Sequence, residues 1–300
     1  MPNPAYNQRR RATAANLAAM LCRDVIPSSY TCESVYGSVN LVATSVIETM
    51  REQILEQLDL IETEHDVTIV FAIESGSRAW GFPSVDSDYD VRFVYTHKPE
   101  WYLSISPGRD VIELPADPVL DINGWDVRKA LQLLRKSNIS LMEWISSPIQ
   151  YRRNEELADI FHSVVPCGFQ QHASARHYLS MAKSNIAKTD RANVRMKSYL
   201  YAIRPLLCCR WVLERNSQPP MTFRDLVAQY LAQTPIGDAV TTLIATKETQ
   251  TEADTVPKDQ ILDAFISTEF ERLTAMCPNE RDLPDAAVFD DAFRRIISKA

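Results

Sequence analysis

The sequence predicts an α/β (α+β) fold: a small mixed sheet with helices, followed by a mainly helical region. Two observations carry this. Before residue 150, apolar β-branched runs at 67–73 and 91–95 alternate with segments of helical apolar spacing. Beyond about 155, β-branched runs largely vanish and helical periodicity dominates. The expected divisions are an N-terminal extension over 1–40, an α/β domain over 41–150 and a helical domain over 151–300.

The elements follow in order. Residues 42–62 show helical spacing of apolar positions. A strand over 67–73 leads into the Gly76-Ser77 turn and a short helix near 77–81. A second strand, 89–95, begins within Asp88-Tyr89-Asp90. Short strands are expected over 110–114 and 119–122, separated by a turn between Pro115 and Pro118. Asp126 then caps an amphipathic helix from Val127 to Lys136. Helices are expected at 155–164, 170–188, 193–215, 222–232, 236–247, 257–276 and 286–299, with Pro205 kinking the third near residue 204. The polar stretch 249–257 reads as a loop.

The chemistry concentrates at the first two strands. Successive strand side chains alternate faces, so Asp88 and Asp90 point the same way. Two carboxylates aimed at one spot repel unless a cation lies between them. Oxygen-only ligands suit Mg²⁺ or Mn²⁺, which commonly binds through one or two carboxylates and substrate phosphates. Gly76 allows backbone to approach a phosphate, and the Ser77 hydroxyl can donate to one. These parts describe a nucleoside triphosphate site. Asp-Ser-Asp alone is ordinary turn chemistry. The preceding strand, Gly-Ser turn and spacer give it meaning.

Gly76-Ser77, the spacer and Asp88-Tyr89-Asp90 together resemble the DNA polymerase beta superfamily of nucleotidyltransferases. The fuller strings, Glu74 to Gly81 and Asp86 to Phe93, resemble a predicted bacterial and phage branch. Similarity continues in Asp121 to Asp126, Ser137-Asn138, Glu143 to Pro148 and Arg204 to Leu207, so it spans about 67–215. The resemblance implies transfer of a nucleoside monophosphate from an NTP such as ATP to a hydroxyl, using two Mg²⁺ or Mn²⁺ ions. It also implies a third carboxylate on a later strand. Asp121 is the first choice, because a charge inside Val119-Leu120-Asp121-Ile122 is costly unless paired or metal-bound. Asp126, which also reads as a cap, and Glu113 stay open.

Further candidates are less specific. Arg78 reads equally as a triphosphate contact or a surface residue, while Arg92 reads as a buttress for the carboxylates and Glu74 as support. Lys197, Tyr201 and Arg204 fall at i, i+4 and i+7, one helix face, and read as triphosphate or acceptor contacts or as a solvated stripe. Tyr201 could stack on a base. The histidines lack HxH or HExxH spacing, and neither a Walker lysine motif nor a GxSxG elbow occurs.

Composition bounds the partners. A net charge of −7 argues against nonspecific coating of nucleic acid. Residues 176–215 nevertheless hold nine Lys or Arg against Asp190 and Glu214, which favours an RNA acceptor, plausibly a tRNA 3′ end, over a protein side chain or a small molecule. Toxin-like protein nucleotidylation and a non-catalytic nucleotide- or RNA-binding regulator are the alternatives. No apolar run approaches membrane-span length. Six cysteines without CxxC spacing read as reduced thiols of a cytoplasmic protein, and the basic N-terminus as a plain helix.

Overall fold

The structure is a computed structural model that describes residues 32–300 apart from 107, 116, 191 and 279–282, with side chains from residue 49 onward. Residues 1–31, and with them the expected basic N-terminal helix, lie outside the described residues. The first helix, α1 (Cys32–His65), is longer than the expected 42–62. The chain divides into two compact units after Gln57, within α1, and the sheet and every later helix belong to the unit Leu58–Ala300.

Five strands form one mixed sheet: β1 (Val67–Glu74), β2 (Tyr89–His97), β3 (Val111–Glu113), β4 (Leu120–Asp126) and β5 (Gln150–Arg153). Their order is β3-β4-β2-β1-β5. β2 and β4 run parallel, and the other pairs are antiparallel. β1 is an interior strand and almost wholly buried, which explains why its sequence is a continuous apolar run rather than an alternating one. β5 was not apparent in the sequence, since Gln-Tyr-Arg-Arg carries no apolar alternation. Its pairing with β1 carries the sheet past residue 150.

Short α2 (Gly76–Trp80) joins β1 to β2, and α3 (Pro99–Tyr102) follows β2. α4 (Val127–Arg135) starts at Asp126, whose carboxylate accepts from the Arg128 backbone N–H at 2.8 Å. Its buried Val127, Ala130, Leu131 and Leu134 form one stripe against the sheet. α5 (Ile139–Ile145), capped by Asn138, α6 (Glu155–Ser163) and short α7 (Val165–Gly168) complete this layer.

The helical region contains α8 (Gln171–Ile186), α9 (Met196–Arg215), α10 (Phe223–Tyr230), α11 (Pro235–Thr249), α12 (Gln260–Met276) and α13 (Ala286–Ile297). α9 runs on as one helix through the buried Pro205. Residues 193–195, expected as helix, and 255–257, expected as loop, instead pair as a ribbon of β6 (Asn193–Arg195) and β7 (Thr255–Pro257). Three-residue strands are too short to leave a periodic signal, and their pairing is tertiary.

Two apolar clusters hold the unit together. One joins Phe71, Ile73 and Val94 to α4, α5 and α6, and α13 returns to it through Phe289, Ala292 and Ile296. The other is built from α8 to α12. Phe82, from the loop between α2 and β2, is fully buried in this second cluster against Phe223. Burying a Phe is worth about 1.5–3 kcal/mol. The helical region therefore grips the loop that precedes the aspartates.

Candidate functional site

The Gly76 turn and Asp90 meet directly. The Ser75 N–H donates to the Asp90 carbonyl at 2.8 Å, extending the β1–β2 pairing to the turn. Gly76 has φ +62°, the left-handed region that glycine enters without penalty. A Cβ placed on it would lie 2.1 Å from Asp90 Oδ2, so the carboxylate rests on bare backbone. Beneath it, Glu74 is fully buried and accepts from the Asp90 N–H at 2.8 Å and from the Tyr151 hydroxyl. Burial pushes the Glu74 carboxyl up to about 7, against the lowering effect of those bonds.

Asp90 and Asp121 are opposite partners in the parallel β2–β4 register. Arg92 Nη2 bridges them, at 2.9 Å to Asp90 Oδ1 and 2.7 Å to Asp121 Oδ2. Its Nη1 donates to the Asp121 carbonyl at 2.9 Å. The buttress expected of Arg92 is thus a clasp across two strands. Burial raises the Asp90 pKa and Arg92 opposes it, while Asp88, Asp121 and Glu252 raise it further. Asp88 is exposed, one residue before β2 begins.

The other two candidates for a third carboxylate stand apart. Glu113 is on the edge strand and pairs with Arg109. Asp126 is buried at the far end of β4, occupied by its cap and by the Tyr102 hydroxyl at 2.6 Å.

The donor chemistry of Asp88 and Asp90 fits a hard divalent cation. Both offer oxygen only, and Asp90 carries a repulsion that a cation would relieve. Asp121 is engaged by Arg92, and among the described residues no three His, Cys, Asp or Glu side chains are grouped as a ready cage.

Ser77 is buried, its hydroxyl donating to Ser87 Oγ at 3.2 Å rather than opening to solvent. Arg78 neither floats on the surface nor faces open space. It donates to the Ser87 carbonyl at 2.6 Å and the Asp88 carbonyl at 3.0 Å and stacks on the Tyr89 ring at 3.7 Å. It fixes the approach to Asp88.

The stripe on α9 separates. Tyr201 packs against Trp80, and its hydroxyl pKa is raised by burial, then by Glu252, Asp90 and Asp88. Lys197 pairs with Glu252 at 2.5 Å. Arg204, expected to reach the triphosphate or acceptor, is instead 2% exposed, paired with Glu143 at 2.7 Å and set over the Trp80 ring. Glu143 also accepts from Trp80 Nε1 at 3.2 Å. Helical spacing put Arg204 near Lys197, but its turn of the helix faces the core. Three residues sequence reasoning missed complete the surroundings: Glu143, Lys247 and Glu252. Glu143 stood within a string shared with the family resemblance, whereas the other two carried no local signal.

Residues 50–295 match the family described as the RNA repair pathway DNA polymerase beta family. The uncharacterized protein YcgL of Bacillus subtilis (strain 168) is 42% identical over 225 residues, covering 75% of this chain and 86% of that protein. A crystal structure of a nucleotidyltransferase-like protein from Exiguobacterium sibiricum 255-15 has 11% identity and a TM-score of 0.30, covering 81% of this chain and 79% of that one.

Proposed function

We propose, from the premise that the chain belongs to the RNA repair pathway DNA polymerase beta family of nucleotidyltransferases, that it moves a nucleoside monophosphate from an NTP to an RNA hydroxyl. The acceptor oxygen bonds to the α-phosphorus, the α–β phosphoanhydride bond breaks, and pyrophosphate leaves. The observation that carries this reading is Asp90 held on Gly76 and in register with Asp121.

Asp88 and Asp90, with Asp121, would hold divalent cations, Mg²⁺ or Mn²⁺. When bound, such ions supply charge neutralisation for the attacking and leaving oxygens. Asp121 accepts the proton of the attacking hydroxyl, oriented by Arg92. The turn at Gly76 and Ser77 would receive the outer phosphates, the Ser77 hydroxyl turning from Ser87 Oγ to do so. Lys197 turns from Glu252 to a phosphate, and the Tyr201 ring contacts the nucleotide. Arg78 acts through the loop it fixes. Support for RNA as acceptor comes from the family and from Arg176, Lys183, Lys188 and Arg195, all exposed on the helical region. No described helix is long and apolar enough to cross a membrane.

The test is incubation with each α-labelled NTP, Mg²⁺ and total RNA or total protein. Label is expected on RNA 3′ ends, and it should disappear in Asp88→Ala and Asp90→Ala. Label on protein alone would replace the acceptor. No transfer to either, with NTP binding intact, would make the chain a binding regulator.

A further inference from the structure

Lys247 closes the last turn of α11 and is 1% exposed. Its ammonium donates to the Phe82 carbonyl at 3.0 Å and to Ser84 Oγ at 3.3 Å, and it lies 5.6 Å from the Phe82 ring centre. None of these partners is charged. Among the described residues Glu252 and Asp86 act on it without an ion pair, and a buried ammonium so placed is far costlier than the apolar side chain that could fill the same volume.

What this lysine touches leads straight to the site. Ser84 Oγ is 2.8 Å from Ser87 Oγ, and the Ser84 N–H donates to Ser87 Oγ at 2.9 Å. Ser87 in turn receives the Ser77 hydroxyl, and its carbonyl receives Arg78. Two further links run alongside: the Val85 N–H donates to the Gln250 carbonyl at 3.3 Å, and the Glu252 N–H donates to the Asp86 carboxylate Oδ1 at 2.9 Å. The spacer between the Gly-Ser turn and the aspartate pair is thus fastened to the end of α11 through Lys247, Gln250 and Glu252.

We propose that Lys247 is a positioning residue. It sets the height of the Ser84–Ser87 spacer and thereby the presentation of Asp88 and Asp90. The helical region then does more than supply a cleft wall, because the cation-holding pair is only correctly aimed when α11 is docked. This inference rests on the nucleotidyl-transfer reading of the same site.

The test is Mn²⁺ titrated into the full chain, with the free ion followed by electron paramagnetic resonance. The wild type should bind and Asp90→Ala should not. Lys247→Met should bind about 10-fold more weakly, the size of effect usual for partners behind a metal ligand. Ser84→Ala, a small change that leaves the fold intact, should weaken binding in the same direction. The double variant should be no weaker than Lys247→Met alone, since both cut one link. Leu243→Ala, buried on the same helix, should lower thermal stability without changing Mn²⁺ affinity.

Wild-type affinity in Ser84→Ala and in folded Lys247→Met would overturn the inference while leaving the transfer reading standing. Equal weakening by Leu243→Ala would also overturn it. A wild type that binds no Mn²⁺ would remove the transfer reading and this inference together.

Discussion

Asp90 and Asp121 lie side by side on parallel strands, and Arg92, two residues beyond Asp90, bonds to both. The arrangement gives two nearby carboxylates a shared positive neighbour. It also ties Asp121 twice, through its side chain and its carbonyl, so its direction is fixed although it is half-exposed. A carboxylate held this way differs from Glu113, which pairs with Arg109, and from Asp126, which is taken up by its cap and by Tyr102.

That difference is measurable. Asp121→Asn should lower nucleotidyl transfer by about 10²–10⁴-fold, the usual share of a general base. Glu113→Gln should leave transfer unchanged. Asp126→Ala should cost about 1–2 kcal/mol of stability through the lost cap, with transfer intact below its melting temperature. Retained transfer in Asp121→Asn, alongside loss in either of the others, would move the proton acceptor elsewhere.

Gly76 and Gly81 both have positive φ, and only one carries the site. Gly76→Ala would drive a methyl into Asp90 Oδ2, and a displacement near the chemistry of about 1 Å can lower rate about 100-fold. A methyl placed on Gly81, where φ is +83°, would meet only Thr222 Cγ2, at 3.5 Å. Gly81→Ala should therefore cost about 1 kcal/mol of backbone strain with transfer unchanged. Paired denaturation and label-transfer assays separate the two, and equal losses of activity would contradict the close approach.

The contrast between these positions explains what was legible beforehand. Gly76, Asp88 and Asp90 are local: strand, turn and spacer lie within a short stretch, and each residue type has a restricted role. Asp121 was visible as a charge in an apolar run. Its register beside Asp90 was not, since strand pairing depends on residues far apart. Arg204 shows the limit of periodicity. Spacing told that it shares a side of α9 with Lys197 and Tyr201, but only the packing of Trp80 and Glu143 decides that this turn is core. Lys247 and Glu252 were invisible because one borders and the other lies within a polar segment that looks like any connecting loop, and their partners in the spacer are more than 160 residues earlier.

Arg204 and Lys197 should accordingly respond in opposite ways. Removing one member of the buried Arg204–Glu143 pair leaves an uncompensated charge, so Arg204→Ala should cost about 3–5 kcal/mol of unfolding free energy. Lys197 and Glu252 are each about a third exposed, and Lys197→Ala should cost about 1 kcal/mol or less. Its effect should appear in KM for the NTP, raised about 10–100-fold by loss of a charge-assisted phosphate contact. Urea melts and steady-state kinetics read both, and an unchanged KM in Lys197→Ala would remove that residue from the triphosphate.

Glu74 makes stability depend on pH in a direction opposite to that of most carboxylates. Its carboxyl is raised to about 7 from 4.5, by burial first, so between those values the folded chain holds a proton that the unfolded chain has released. More protons bound to the folded state means that stability falls as pH rises. The contribution is intact below about pH 4.5, declines through the interval and levels off above about 7. Its full size is on the order of 3 kcal/mol, since each tenfold change in proton affinity is worth about 1.36 kcal/mol. Glu74→Gln keeps an acceptor for the Asp90 N–H and cannot ionise. In chelator-treated protein, its stability relative to wild type should therefore climb between pH 5 and pH 8. A constant difference across that range would show that Glu74 ionises no differently once folded.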